Sequence, residues 1–300
     1  MKNGLYTVLI LISTLALGAC GSSNEVGSIV SANGSQRIVG GQPVEPGSEI
    51  ARMTVLLETK SSQGNLTTCT GVLIRRDVVL TAAHCFEKLS GKKGESKFDP
   101  KATLVAFITK YEEAEASRVR DVKSIVVHPW YHGSLFDCAP PSFNACESDF
   151  NLRSADLAIV FLEESAPDDA LPVAPSGFVY RNGDVLVAAG FGDRSKDSEE
   201  ANEQGLFNEL YFVEYPVILS TDHPQDSVMP RDPEVVMKLI EEYGTAPGDS
   251  GGPIFLKTES GLELVALTSY ESFTNDYYVN LGHHLDWINL VLMSNAEAKN

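Results

Sequence analysis

Basic residues are scarce in this chain: 23 Lys and Arg stand against 41 Asp and Glu, for a formal net charge of −18. A surface with that excess repels a phosphate backbone, so nucleic acid is not expected as a partner. Cysteines are few, five in all, and none are spaced Cys-x-x-Cys, which argues against a structural zinc site. Long apolar runs are missing too. The stretch Leu5 to Leu17 is too short to span a bilayer stably. No segment recurs at a fixed period. What remains is a chain that is 43% hydrophobic and carries 24 glycines, the balance of a globular domain.

The apolar stretch does have a reading of its own. Lys2 precedes it and Leu17-Gly18-Ala19-Cys20 ends it, the layout of an export signal with a small-residue cleavage site. The Leu-Gly-Ala-Cys ending resembles a bacterial lipobox. Residues 1–19 are then a lipoprotein signal peptide, and Cys20 the lipid-modified first residue of the mature chain. The plainer alternative is an ordinary cleaved signal beside an incidental cysteine. Residues 20–37 are small and polar and read as a tether or propeptide. Export leaves Cys69, Cys85, Cys138 and Cys146 in an oxidising compartment. Four cysteines allow three pairings, and sequence proximity favours Cys69–Cys85 with Cys138–Cys146.

From Ile38 onward, short β-rich runs alternate with turn residues. Strands are predicted over Met53–Glu58, Gly71–Ile74, Val78–Thr81, Thr103–Thr109, Val119–Val127 and Leu157–Leu162, and again over Val185–Ala189, Asn208–Pro216, Gly252–Leu256 and Leu262–Ser269. That pattern predicts an all-β sandwich or barrel. Two helices are predicted. Pro233–Tyr243 places Val235, Val236, Leu239 and Ile240 on one face, and Leu285–Met293 is a terminal apolar helix. Asp193–Gly205 and Ser220–Asp232 read as surface loops.

Three segments carry chemistry. Leu80-Thr81-Ala82-Ala83-His84-Cys85 presents a histidine, Ser154-Ala155-Asp156-Leu157 an aspartate at the head of a strand, and Gly248-Asp249-Ser250-Gly251-Gly252-Pro253 a serine between glycines. A serine hydroxyl attacks poorly unless a base takes its proton, and histidine titrates in the right range to do so. A buried carboxylate then fixes the imidazole tautomer. Glycines let the chain bend sharply and bring amides close to a developing oxyanion. Singly, each segment has a bland reading: a packed histidine, a strand-edge acid, a tight turn. Their co-occurrence in an exported β-rich chain favours the functional one.

At this point the sequence resembles the trypsin/chymotrypsin-like serine endopeptidases. The likeness runs from Arg37-Ile38-Val39-Gly40-Gly41 to Asp286-Trp287-Ile288, with histidine, aspartate and serine in the family's order. Cys69-Thr70-Gly71-Val72-Leu73-Ile74 with Cys85, Ala189-Gly190-Phe191-Gly192 and His128-Pro129-Trp130-Tyr131 add to it. The resemblance implies residues 38–300 as one protease domain of two six-stranded antiparallel β-barrels with a C-terminal helix. It implies His84 as general base, Asp156 as its orienting acid, Ser250 as nucleophile, and the N–H groups of Gly248 and Ser250 as oxyanion hole. It implies a zymogen: cleavage after Arg37 frees the amine of Ile38 to pair with Asp249. It also implies that Cys69–Cys85 closes the histidine loop.

Departures cluster at the specificity pocket. Gly244 stands where trypsin-like enzymes have aspartate, and Ser269-Tyr270-Glu271 replaces Ser-Trp-Gly. Asp276 falls on the pocket's other wall and could receive Arg or Lys, so a basic or mixed preference is expected. Ala246 stands where the family has cysteine. The loop bearing Cys138 and Cys146 is longer than usual. Glu112, Glu113 and Glu115 do not match the family's calcium loop, so no metal or cofactor is expected. The expected partners are protein or peptide substrates, and a membrane through a lipid anchor at Cys20. The chain is read as a monomeric cell-envelope lipoprotein, periplasmic or on the outer surface, which cleavage after Arg37 would release. The rival reading is a catalytically inactive binding lipoprotein on the same fold. An esterase is disfavoured, since it would need Gly-x-Ser-x-Gly on a strand–helix elbow and the order serine, acid, histidine, and neither is seen.

Overall fold

Strand residues alternate between two sides, and here a run of consecutive apolar residues has two cores to fill. The computed structural model describes residues 41–60, 66–86, 100–131, 155–192, 209–217, 229–231, 234–238, 245–271 and 275–297. All fall within the compact unit Ser35–Asn300. After a short strand β1 (Gln42–Pro43) and a one-turn helix α1 (Glu49–Met53), six strands close a barrel. They are β2 (Thr54–Lys60), β3 (Leu66–Arg75), β4 (Val78–Thr81), β5 (Thr103–Ala106), β6 (Val119–Val127) and β7 (Ala158–Leu162), in the order β2-β3-β4-β7-β6-β5. Pairing of Leu56 with Ala106 joins the first strand to the last.

The wall β3-β4-β7 shows why these strands carry apolar residues on both faces. All five residues of β7 are buried. Ala158, Val160 and Leu162 face the barrel core with Leu73 and Val79, whereas Ile159 and Phe161 point outward to a second core with Val72 and Leu80. That second core is completed by Val187, Phe255, Leu264 and Leu267 from the other sheet, and by Ile288 and Leu292 of the last helix. Each fully buried side chain of this size contributes about 1.5–3 kcal/mol, so the wall ties barrel and sheet into one packing unit.

The other strands are β8 (Val185–Gly190), β9 (Tyr211–Pro216), β10 (Met229–Arg231), β11 (Glu234–Lys238), β12 (Pro253–Thr258), β13 (Gly261–Glu271) and β14 (Asn275–Asn280). With β1 they form an eight-stranded antiparallel sheet in the order β1-β9-β8-β12-β13-β14-β11-β10. Two six-stranded barrels are expected from the sequence; the described residues close one barrel, and the second sheet does not close among them. A register shift at Ile254/Phe255 leaves Val265 as an extra residue in β13, so Val265 and Ala266 both face the third core. Helix α2 (Leu285–Glu297) ends the described chain, four residues longer than predicted.

Two expectations are corrected. The helix predicted over Pro233–Tyr243 is instead strand β11 over Glu234–Lys238, paired with β14 through Val235–Tyr278 and Val236–Tyr277. Adjacent β-branched valines fit a pleated surface, and that cross-strand pairing overrides a helical spacing carried by only four apolar residues. Likewise, β10 interrupts the loop expected over Ser220–Asp232. Among the described residues, no helix is long and apolar enough to cross a membrane.

Candidate functional site

His84 lies in the 3-10 turn Ala83–Phe86 directly after β4, and a disulfide from Cys85 to Cys69 anchors that turn to β3. Asp156 lies just before β7. Because β4 and β7 pair at Thr81–Ala158, their ends deliver the two side chains to the same place. Nδ1 of His84 is 2.7 Å from Oδ2 of Asp156, and the backbone N–H of His84 donates to Oδ1 at 2.9 Å. Ser269 of β13, a buried residue from the second sheet, donates its hydroxyl to the same Oδ2 at 2.6 Å. Burial alone would raise the Asp156 carboxyl; the neighbouring His84 charge and the hydrogen bonds from His84 and Ser269 outweigh it and hold the group below its ordinary value. An ionised carboxylate facing Nδ1 requires the proton to sit on that nitrogen, which leaves Nε2 as the basic atom. The His84 side chain is 26% exposed, against 6% for Asp156. The base is reachable and the acid is not.

The serine segment comes from the second sheet but is bound to the barrel. Thr70 of β3 donates its backbone N–H to the carbonyl of Ser250 at 2.9 Å. Sγ of Cys85, the residue after His84, touches that carbonyl at 3.9 Å. The Ser250 backbone therefore lies against the Cys69–Cys85 bridge, one residue in sequence from His84. Gly248 and Gly251 have φ of 104° and 77°, a region that side chains other than glycine rarely occupy. Among the described residues, no hydrogen bond takes up the N–H of Gly248 or of Ser250.

Asp249 is 1% exposed. Its carboxylate accepts the N–H of Gly192 at 2.7 Å and that of Ala246 at 2.8 Å. A Cβ at Gly190 or Gly192 would overlap the same carboxylate, which explains both glycines of the Gly-Phe-Gly turn. Arg37 and Ile38 lie outside the described residues, as do Cys20, Cys138, Cys146 and Gly244. Tyr270 and Glu271 end β13, and Glu271 pairs in register with Asp276 on β14, beside the Tyr270–Tyr277 pair.

Three features went unread in the sequence. Ser269, expected in the substrate pocket, also donates its hydroxyl to Asp156. Thr70 is a buried hydroxyl of β3, and His128 packs at a tilt against Trp287 with its Nε2 at 3.3 Å from Nδ1 of His284. Polarity within a buried strand was the one signal for Thr70. Nδ1 of His128 accepts the N–H of Trp130, so the pair is compatible with two neutral rings, and burial followed by the His284 charge pushes the His128 pKa down to about 4. Cys69, His84 and Cys85 cluster closely enough to suggest a metal, but the two sulfurs are bonded to each other and offer no thiolates.

The family model described as Trypsin matches residues 38–288. The chain is similar to granzyme E of Mus musculus, 23% identical over 263 residues, covering 85% of this chain and 91% of that protein. It is similar to chymotrypsin-like elastase family member 1 of Homo sapiens, 24% identical over 278 residues, with coverage of 86% and 93%. Vitamin K-dependent protein C of Oryctolagus cuniculus is 25% identical over 248 residues, and there the match spans 48% of the relative.

Proposed function

The chain belongs to the trypsin family, and from that membership we propose that it is a serine endopeptidase working through His84, Asp156 and Ser250. The observation that carries this reading is the His84–Asp156 pair at 2.7 Å, in a chain that also places Ser250 in a glycine-flanked loop bound to the barrel through Thr70. In the proposed reaction Ser250 Oγ attacks the substrate carbonyl while its proton passes to Nε2 of His84. Asp156 holds the imidazole and offsets its charge. The oxyanion is held by the N–H groups of Gly248 and Ser250. His84 then returns the proton to the departing amine as the C–N bond breaks, and water repeats the sequence on the acyl-enzyme.

The finer reading follows the same frame. Residues 1–19 are a signal peptide, Cys20 carries a lipid, and residues 38–300 form the protease domain. The chain is a monomeric zymogen. Cleavage after Arg37 supplies the Ile38 amine to Asp249, whose buried carboxylate accepts the backbone amides of Gly192 and Ala246. Asp276 and Glu271, paired across β13 and β14, support a basic or mixed preference at the cleavage site. Exported proteins and peptides are the substrates.

Comparing the uncut chain, the chain starting at Ile38, and its Ser250→Ala variant on a peptide library tests these claims together. Cleavage by the trimmed chain alone, enriched after Arg or Lys, is expected. No cleavage by folded, trimmed protein contradicts the protease, as it would for a binding-only lipoprotein, and cleavage after apolar residues alone removes the role given to Asp276.

A further inference from the structure

Thr70 makes four hydrogen bonds from one buried position, and three of them reach the serine loop or the turn beside it. Its hydroxyl donates to the carbonyl of Gly248 at 2.8 Å and accepts the N–H of Phe191 at 3.0 Å. Its backbone N–H binds the Ser250 carbonyl at 2.9 Å, and its own carbonyl accepts the Thr81 hydroxyl at 2.7 Å. The residue is fully buried. One hydroxyl carries one proton and two lone pairs, so it can satisfy both partners at once, and no water needs to intervene.

The two partners flank Asp249. Phe191 precedes Gly192, whose N–H binds the Asp249 carboxylate, and Gly248 precedes Asp249 itself. The hydroxyl thereby closes a ring: Gly248 carbonyl, Asp249, Gly192 and Phe191 amides, and back to Thr70. Gly248 has no side chain to limit its dihedrals and sits at φ 104°. Its carbonyl is the handle by which a neighbour can fix the following peptide plane.

We propose that Thr70 is a positioning residue of the reaction: its hydroxyl sets the Gly248–Asp249 peptide and so couples the seating of the Asp249 carboxylate to the aim of the oxyanion-binding amides. The inference rests on the protease reading above. Losing the hydroxyl strands the Phe191 N–H and the Gly248 carbonyl in a buried space and leaves the peptide held by its Asp249 N–H on the Ala246 carbonyl alone. Displacement of such amides by about 1 Å is enough to cost up to a hundredfold in rate.

The test uses the chain starting at Ile38 with Thr70→Val, Thr70→Ala and Thr70→Ser. Thr70→Val is expected to lower kcat about tenfold to a hundredfold with KM nearly unchanged. Affinity for a peptide boronic acid, which forms the tetrahedral adduct, should fall in parallel, whereas affinity for the product peptide acid should hold. Thr70→Ser, which keeps the hydroxyl, should return both to within about threefold of wild type. A folded Thr70→Val with wild-type kcat and boronate affinity overturns the proposal, and so does a Thr70→Ser variant as impaired as Thr70→Val. Should Thr70→Val fail to fold, Thr70→Ala against Thr70→Ser carries the same comparison. Amide hydrogen exchange at Phe191 gives a readout apart from activity: faster exchange without the hydroxyl is expected, and unchanged exchange counts against the ring. An inactive wild type that fails to react with a fluorophosphonate sinks the protease reading instead, while the exchange result still judges the ring.

Discussion

The two halves of the site are built by different means. Around Asp156, two side chains and one backbone amide do the holding: the His84 ring, the Ser269 hydroxyl and the His84 N–H. On the sheet side, backbone does it: Asp249 is gripped by the amides of Gly192 and Ala246, in a space that two glycines keep open. A side-chain grip tunes charge and protonation, which a base needs. A backbone grip fixes the path of the chain, which an anion-binding loop needs. The halves should therefore fail differently when altered.

The largest loss is expected on the barrel side. Asp156→Asn should lower kcat about 10⁴-fold, the size of the corresponding change in the family's reference mechanism, because the neutral amide no longer dictates the His84 tautomer. Steady-state kinetics with an unchanged thermal transition would show the loss to be chemical. On the sheet side, Gly192→Ala should cost both activity and stability, since its Cβ overlaps the Asp249 carboxylate. We expect at least about a hundredfold in kcat/KM together with a lower Tm. If Gly192→Ala left Tm intact while erasing activity, the contrast between the halves would weaken.

Cutting the disulfide of the barrel half comes next. Replacing Cys69 and Cys85 together by serine opens a 16-residue separation. It should destabilise the fold by about 2–4 kcal/mol, measured by denaturant titration, and unseat His84 relative to Ser250. Ser269→Ala is expected to do less, roughly a threefold to tenfold fall in kcat, since the carboxylate keeps its two bonds from His84.

The smallest effect is on pH stability and lies away from both halves. His128 has its pKa lowered from 6.5 to about 4 in the folded chain, so the unfolded chain binds that proton first. Its contribution is fully present above the unfolded value and is lost as pH falls from about 6.5 towards 4. Tm should drop by roughly 3–6 °C across that window beyond the loss seen in His128→Asn, which keeps an acceptor for Trp130. Equal slopes in the two proteins would remove His128 as the cause.

How legible was all this in the sequence? The barrel strands were, because β3, β4 and β7 are apolar on both faces and bounded by turn residues. The helix α1 was not: five residues make one turn, capped by Ser48 accepting the Ala51 N–H at 3.3 Å, too short to show a period. Strand β14 begins Asn275-Asp276 and lacks an apolar alternation, so only its pairing with β13 and β11 reveals it. The same holds at the site. His84, Asp156 and Ser250 stood out because residue type and order carry the chemistry. Thr70 and the Ser269–Asp156 bond could not, since each depends on chain segments more than a hundred residues apart meeting at hydrogen-bond distance.

The most direct measurement is intact-mass analysis, with peptide mapping, of the chain starting at Ile38 after exposure to a fluorophosphonate. One adduct per chain, located on Ser250, absent from Ser250→Ala and strongly slowed in His84→Ala, is the predicted result. A folded, correctly trimmed chain that stays unlabelled, or one labelled equally without His84, would contradict the account.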